Sequence, residues 1–172
     1  MTFHELVAGR ESIRSYDPKK EVNEAALEKI LEAGRLAPSA ANRQPWRFLL
    51  ISSQEMLEKV RRCYSGEWFQ EAPHVLAVMG SVDDAWVRSK DGYNSLETDL
   101  TIAMDHMILA AESEGVATCW IAAFDRDILY EAFSLADNER IFAITPLGYP
   151  KKGFAKRRNK QRKSLEEIVR RL

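Results

Sequence analysis

The sequence predicts one domain that contains both helices and strands. Amphipathic runs with helical spacing alternate with short apolar runs along most of the chain. Of the 172 residues, 45% are hydrophobic and 30% are charged, which is ordinary for a globular chain long enough to bury a core. There is no internal repeat and no low-complexity stretch. We therefore expect residues 1–172 to fold as a single unit.

Four longer segments carry the helical pattern, in which apolar residues recur every three or four positions. The predicted helices cover residues 23–34, 54–63, 96–114 and 125–133. Asn23 and Asp125 are suitable N-caps, and Gly115 should end the longest helix. Thr2 could cap a short additional helix at the start of the chain. Gly34 should allow the helix that contains it to pack closely against a neighbour.

Four apolar runs predict strands at residues 46–52, 74–80, 116–121 and 141–148. The first run is almost continuously apolar, so we expect it near the centre of a sheet. Pro146 has no N–H group, which places the last strand at an edge or Pro146 near its end. The polar 83–95 segment shows little periodicity and is expected to be a mobile loop or short helical lid that carries specificity.

Charge is divided unevenly between the body of the chain and its last 22 residues. Residues 1–150 carry a net charge of −9, whereas residues 151–172 carry +8. Such an arm binds nucleic acid, or it folds onto an anionic ligand or an acidic surface of its own protein. Ser164 and Glu167 form a capping box that opens a final amphipathic helix. Because a solvated tail does not need a capped helix, we expect the arm to dock on protein and not on nucleic acid.

The sequence lacks the motifs of several other classes of protein. It has no apolar run of membrane-spanning length and no N-terminal signal core, so we expect a cytoplasmic protein without a membrane partner. Cys63 and Cys119 are far apart and are expected to be buried free thiols. No glycine-rich nucleotide motif, nucleophile motif or metal motif is present. Any enzymatic chemistry must therefore come from a cofactor, and we assign no catalytic side chain and no metal.

The first candidate ligand site lies near the N-terminus. If residues 10–16 are extended, Arg10, Ser12 and Arg14 share one side of the chain and Ile13 points into the core. Two guanidinium groups and a hydroxyl group on one side suit a phosphate ligand, and we call these three residues the phosphate clamp. A solvated edge segment is the alternative interpretation.

The second candidate site is the segment 37–46, which we call the two-proline loop. Pro38 and Pro45 force the chain out of the helix before a strand begins. Between and just after them lie small residues, the amides of Asn42 and Gln44, and Trp46. This combination suits a planar ligand with polar edges, such as a flavin ring. An ordinary helix-to-strand loop is the alternative.

Four motifs follow one another along the chain: Arg10-x-Ser12-Ile13-Arg14, Ala37-Pro38-Ser39-Ala40-x-Asn42-x-Gln44-Pro45-Trp46, Ala110-Ala111-Glu112-Ser113-Glu114-Gly115-Val116-Ala117-Thr118-Cys119-Trp120-Ile121-Ala122-Ala123-Phe124, and Leu147-Gly148-Tyr149-Pro150 with a basic segment running into Leu165-Glu166-Glu167-Ile168-Val169. In this order they resemble the short form of the FMN-dependent nitroreductase family. The resemblance covers nearly the whole chain. It implies an α+β fold with a mostly antiparallel central sheet wrapped by helices. It also implies a homodimer that exchanges C-terminal arms (residues 150–172) and holds two FMN molecules at its interface.

The same resemblance assigns FMN contacts to individual residues. The phosphate and ribityl contacts match Arg10, Ser12 and Arg14. The loop that the partner subunit lays against the flavin matches Pro38, Ser39, Ala40 and Asn42, with Gln44 in the same motif. The backbone beside the reactive ring edge matches Ile121, Ala122 and Ala123. The basic pair that completes the phosphate site matches Lys160 and Arg162. Glu11 departs from the family pattern, and its carboxylate would repel phosphate, so we expect it to contact FMN only through its backbone.

The activity implied by the resemblance is hydride transfer from NADH or NADPH, through the flavin, to an electron-poor small molecule such as a nitroaromatic compound or a quinone. Two alternatives stay open at this point. The first is a specialised flavin enzyme on the same fold, either reductive dehalogenase-like or flavin-consuming. The second is a non-enzymatic module that binds nucleic acid through the basic arm.

Overall fold

The computed structural model describes residues 1–157 and 160–172. The helices in this part of the chain are α1 Phe3–Gly9, α2 Glu24–Arg35, α3 Gln54–Arg61, α4 Glu67–Gln70, α5 Leu96–Ser113, α6 Arg126–Phe133 and α7 Leu165–Ile168. The strands are β1 Trp46–Ile51, β2 His74–Ser81, β3 Ala117–Thr118 and β4 Glu139–Gly148. A single 3-10 turn at Ala40–Asn42 lies in the two-proline loop.

The helices begin where the sequence predicted caps. Asn23 accepts a hydrogen bond from the N–H of Ala25 at 2.8 Å, and Asp125 caps α6 in the same way. Capping boxes are present at Thr2 before α1 and at Ser164 before α7. Each cap satisfies backbone donors that the first helical turn leaves without partners.

The strands form one sheet in the order β1-β2-β4-β3, and all three pairings are antiparallel. Alternate residues of β2 face opposite layers, as the pleat requires. Leu76 and Val78 pack against α2 and α5, whereas Val75, Ala77 and Met79 pack against α3 and α6. Helices therefore cover both faces of the sheet, which confirms the α+β prediction of an antiparallel sheet wrapped by helices.

The prediction that the first strand is central was wrong, because β1 lies at one edge of this sheet. Its apolar run has another cause. Trp46, Phe48 and Leu50 pack on the layer that contains α2 and α5. Leu49 and Ile51 pack on the opposite layer. A continuous apolar run thus indicates that helices cover both faces of the strand. It does not indicate whether the strand has a neighbour on one side or on both.

The expectations for the third and fourth strands also need correction. β4 lies inside the sheet, between β2 and β3, although it contains Pro146. Continuing the pairing of β3 with β4 would place Pro146 opposite Cys119. Because Pro146 cannot donate, the ladder breaks there, and the N–H of Cys119 donates to the Thr145 hydroxyl at 3.0 Å. The predicted third strand is therefore cut to two residues, and pairing resumes only as a bridge between Ile121 and Ile144.

The polar 83–95 segment contains no helix and consists of turns and loop around one antiparallel bridge. Val87 and Asn94 form an antiparallel bridge, and the N–H of Arg88 donates to the carbonyl of Tyr93 at 2.9 Å. Arg88 also forms an ion pair with Asp91 at 2.8 Å. We call this segment the 83–95 hairpin.

Two glycines permit close approaches that position the two-proline loop. A Cβ atom on Gly34 of α2 would lie 2.7 Å from the side chain of Met107 on α5, as the packing prediction for Gly34 required. A Cβ atom on Gly80 of β2 would lie only 2.3 Å from the carbonyl oxygen of Pro45. A side chain at Gly80 would be the more destabilising of the two, because the Pro45 oxygen that would have to move belongs to the backbone.

We expect Gly80→Ala to lower the free energy of unfolding by about 1–3 kcal/mol, the usual cost of overpacking. Urea unfolding followed by circular dichroism measures this change. Gly9→Ala is the matched control, because its Cβ atom would make only an ordinary contact with Glu112 at 3.5 Å. Equal stability of the two variants would show that the Pro45 carbonyl moves freely.

Candidate functional site

The phosphate clamp has the geometry that its sequence predicts. Arg10 has extended backbone angles, residues 10–16 lie outside every helix and strand, and the N–H of Ile13 donates to the carbonyl of Thr118 at 2.8 Å. Glu11 and Ile13 are buried, whereas Arg14 is exposed and Arg10 is half-buried. Burial thus alternates from residue 10 to residue 14, and the clamp side chains lie on the more open side.

A cleft of about 600 Å³ opens over the phosphate clamp. It is lined by Arg10, Glu11, Ser12, Arg14, Arg157, Lys160, Gln161 and Arg162. Five cationic side chains and one carboxylate thus meet in one place, which favours an anionic ligand. The structure brings together the clamp and the basic pair that the sequence assigned to one site. Arg157 and Gln161 were missed, because a run of basic residues gives no periodic signal that selects among its members.

Glu11 connects the two ends of the chain. Its carboxylate accepts hydrogen bonds from the N–H of Arg157 at 3.2 and 3.3 Å. Lys156, just before Arg157, forms an ion pair with Glu112. The side chain of Phe154 packs beside Tyr16 in a small apolar cluster. These contacts hold the start of the arm beside the clamp, and they engage the Glu11 carboxylate with the protein's own backbone.

Lys160 is held among other cations. Its ammonium group donates to the backbone carbonyls of Ala8 and Arg10. Desolvation lowers the pKa of Lys160, and the nearby charges of Arg10 and Lys156 lower it further, against an opposing effect of Glu11 and Glu112. An anion bound in the cleft would oppose this shift because it stabilises the charged ammonium. The donor set therefore fits a phosphate group.

Cys119 lies close to Ser12 and Arg14 but is buried. Burial raises the pKa of its thiol, although Arg14 and Ser12 oppose the shift. The pKa of the Cys63 thiol is raised to about 12, again mainly by burial. Both cysteines are free thiols, as predicted. Neither has the lowered pKa of a nucleophilic cysteine.

The two-proline loop has an unusual backbone. Ala41, Asn42 and Gln44 have φ angles of 50°, 53° and 50°, in the left-handed region that non-glycine residues rarely adopt. The side-chain amide of Gln44 donates to the Asn42 side chain at 3.2 Å. Both side chains are exposed. Backbone strain of this kind occurs most often at functional sites.

The remaining predicted residues do not lie at the cleft. Among the residues that the structure describes, no member of the two-proline loop, including Pro38, Ser39 and Ala40, lines the cleft over the clamp. The segment 121–123 does not line it either. Ile121 uses both its N–H and its carbonyl in the bridge to Ile144, at 2.9 and 3.0 Å. Ala122 and Ala123 are exposed, and no described group accepts from their N–H groups.

Two further features are absent from the described residues. They contain no group of three or more metal-ligating side chains that could hold an ion. None of their helices is both long enough and apolar enough to cross a membrane.

Comparison with known proteins identifies the family. The model of the nitroreductase family matches residues 7–64 and 57–149. The chain belongs to the nitroreductase family. A candidate NADH dehydrogenase/NAD(P)H nitroreductase of Archaeoglobus fulgidus is 32% identical over 150 residues, which cover 85% of this chain and 84% of the relative. This assignment confirms the resemblance drawn from the four sequence motifs.

Solved structures of family members share the fold. A nitroreductase family protein from Clostridium difficile 630 superposes with a TM-score of 0.90 at 37% identity, covering 99% of this chain and 98% of that one. A candidate nitroreductase from Exiguobacterium sibiricum, solved in complex with FMN, has a TM-score of 0.84 at 23% identity, covering 100% of this chain and 98% of that one. The two likenesses extend over the clamp, the loop and the arm.

We expect Glu11→Ala to release the arm, because it removes a charge-assisted bond to the N–H of Arg157 that is worth about 1.5–3 kcal/mol. Trypsin should then cleave within residues 156–163 at least about tenfold faster, since local opening sets the rate. Mass spectrometry of the fragments measures this. Glu21→Ala, at an exposed acidic residue, is the control. If both variants are cleaved at the wild-type rate, Glu11 does not hold the arm.

Proposed function

We propose that this nitroreductase-family protein is an FMN-dependent oxidoreductase. It passes hydride from NADH or NADPH, through the flavin, to an electron-poor small molecule such as a nitroaromatic compound or a quinone. The observation that carries the proposal is the cationic cleft over the clamp. The FMN in the Exiguobacterium structure and the NAD(P)H in the name of the Archaeoglobus relative support the choice of cofactor and co-substrate.

The FMN phosphate is assigned to the cleft. A phosphate group carries close to two negative charges at neutral pH, and the guanidinium groups of Arg10 and Arg14 match its geometry. The Ser12 hydroxyl adds a donor for the phosphate or the ribityl chain. Lys160 and Arg162 complete the charge from the arm. Glu11 reaches FMN only through its backbone, because its carboxylate is bonded to the N–H of Arg157.

The ring of the flavin is assigned to the backbone around residues 121–123. The N–H groups of Ala122 and Ala123 are available to bond a polar ring edge, whereas those of Ile121 and Ile144 are committed to each other. Bound FMN supplies the hydride chemistry, so the chain needs no acid or base of its own. The role of the chain is to bind, orient and shield the ring.

A homodimer would bring together the two-proline loop and the phosphate clamp, which lie apart within one chain. The two-proline loop, with Pro38, Ser39, Ala40, Asn42 and Gln44, lies outside the clamp of its own chain. We assign it to the flavin of the partner subunit. Among the described residues, none covers the apolar side chains of the last helix and the residues after it. Leu165 is 73% exposed, and Ile168, Val169 and Leu172 are exposed as well. Exchange of arms between subunits would bury them, and residues 1–172 would form one FMN-binding domain with an exchanged arm at 150–172.

The purified protein should be yellow with bound FMN, and anaerobic mixing with NADH or NADPH should bleach the flavin absorbance in stopped-flow measurements.

Arg14→Ala should weaken FMN binding about ten- to hundredfold, the value of one charge-assisted phosphate contact. Arg126→Ala, on the surface of α6, is the control.

Tight FMN binding without bleaching by either nucleotide would remove the nitroreductase-like activity and favour a specialised flavin enzyme.

Truncation after Lys156 should release FMN, weaken the dimer and lower the melting temperature. The truncated chain loses Arg157, Lys160 and Arg162, and it also loses apolar side chains worth about 1.5–3 kcal/mol each when fully buried. Analytical ultracentrifugation and thermal unfolding measure the two effects. The full-length Leu165→Ala/Ile168→Ala variant keeps the cations, so it should weaken the dimer while the clamp residues remain intact.

The same truncation tests the binding-module alternative. A truncated protein that stays dimeric, heat-stable and yellow would contradict the docking of the arm. If the intact protein also bound DNA or RNA with a steep salt dependence that truncation abolished, the nucleic-acid function would be favoured.

A further inference from the structure

The backbone of the two-proline loop requires an external constraint. Ala41, Asn42 and Gln44 all lie in the left-handed region, at a cost that persists only where surrounding contacts over-determine the conformation. These residues are exposed, so burial of their side chains cannot supply the constraint. Inside the loop, the N–H of Gln44 donates to the Ser39 hydroxyl at 2.9 Å, and backbone bonds from Asn42 to Ser39 and from Arg43 to Ala40 close the 3-10 turn.

Two anchors outside the loop add to these internal bonds. At its C-terminal end, the Pro45 carbonyl rests against Gly80 of β2. At its N-terminal side, the N–H of Ala40 donates to a carboxylate oxygen of Asp99 at 2.9 Å. Asp99 lies in the first turn of α5 and is only 1% exposed.

Burying the carboxylate of Asp99 costs more free energy than burying an apolar side chain in a purely structural role would. A buried carboxylate costs free energy unless its lone pairs are well satisfied, and an apolar side chain of similar volume often stabilises a core more. Its position near the N-terminus of α5 offsets part of this cost, because the helix dipole favours negative charge there. Among the described residues, the Asp99 carboxylate accepts two hydrogen bonds: one oxygen accepts from the N–H of Ala40, and the other accepts from the Ser95 hydroxyl at 2.7 Å.

The Ser95 hydroxyl extends the contact to the 83–95 hairpin. Ser95 is buried, and its oxygen accepts from the N–H of Trp86 at 3.2 Å while its proton goes to Asp99. A continuous chain of three hydrogen bonds therefore runs from Trp86, through Ser95 and Asp99, to Ala40. Its two ends are the hairpin and the left-handed turn of the loop.

We propose that Asp99 is a positioning residue that holds the two-proline loop in its flavin-facing conformation and couples that loop to the 83–95 hairpin through Ser95. The inference rests on the proposed function for the target of the loop. It adds that the conformations of the hairpin and of the loop are linked through this buried chain of bonds.

Two variants of Asp99 and two control variants test how Asp99 acts on the loop. Asp99→Ala removes both acceptors. Asp99→Asn keeps an acceptor for the N–H of Ala40 and can donate to the Ser95 oxygen, so it should rescue the geometry. Val60→Ala makes a cavity on the opposite face of the sheet and controls for lost stability alone. Asp105→Ala, exposed on the same helix, controls for lost charge.

The first measurement is hydrogen exchange of peptides covering residues 37–46, followed by mass spectrometry with and without FMN. Asp99→Ala should speed exchange there by at least about tenfold, since one bond to a charged group is lost. Asp99→Asn should stay within about threefold of wild type, and Val60→Ala should match wild type in this segment.

The second measurement separates binding from turnover, using NADH and 1,4-benzoquinone as probes below the melting temperature of every variant. Asp99→Ala should raise the FMN dissociation constant or the KM for the quinone by at least about tenfold, and Asp99→Asn should recover it. Ser95→Ala should act in the same direction, and the Ser95→Ala/Asp99→Ala double variant should cost less than the sum of the two single changes.

Each outcome decides the proposal. Unchanged exchange in Asp99→Ala, or an Asp99→Asn variant as impaired as Asp99→Ala, would overturn it. Faster exchange with unchanged FMN affinity and unchanged KM would make Asp99 a structural residue only, and the proposed function would stand. A wild-type protein that binds no FMN would overturn both, whereas additive effects of Ser95→Ala and Asp99→Ala would remove the coupling to the hairpin.

Discussion

The buried carboxylate of Glu11 is the contact on which the candidate site depends. It bonds the backbone of Arg157 beside the segment that carries the clamp, and so brings together parts of the chain that lie almost 150 positions apart. Without it, mutual repulsion among the cations would favour an open arm. The body of the chain is acidic and the arm is basic, so this local contact also matches the overall distribution of charge.

The strained backbone of the two-proline loop and the contacts that hold it are the second feature of the candidate site. The two-proline loop keeps three non-glycine residues in the left-handed region, while Gly80 and Asp99 hold its two sides. Both anchors belong to elements that the core fixes, namely β2 and α5. A loop built in this way presents its small residues and amides with little freedom, and preorganisation of this kind lowers the entropic cost of binding a ligand.

Local patterns were sufficient to predict the elements but not their neighbours. Caps at Asn23, Asp125 and Ser164 mark helix starts because a cap acts within four residues. The edge position of β1 could not be predicted, since apolar residues on both faces report helices above and below the strand. Likewise Pro146 shortened β3, its neighbour across the sheet, and left β4 in the interior.

The sequence by itself determined the alternation that aims Arg10, Ser12 and Arg14 to one side, because an extended chain has a period of two. It also determined that the helix must end in a loop between two prolines and, through four ordered motifs, the family. Only the tertiary structure decided that Arg157 joins the clamp, that Glu11 is used by the arm, and that a buried aspartate reaches the loop. These contacts join residues 59 and 146 positions apart, and no local rule of spacing or propensity extends over such a distance.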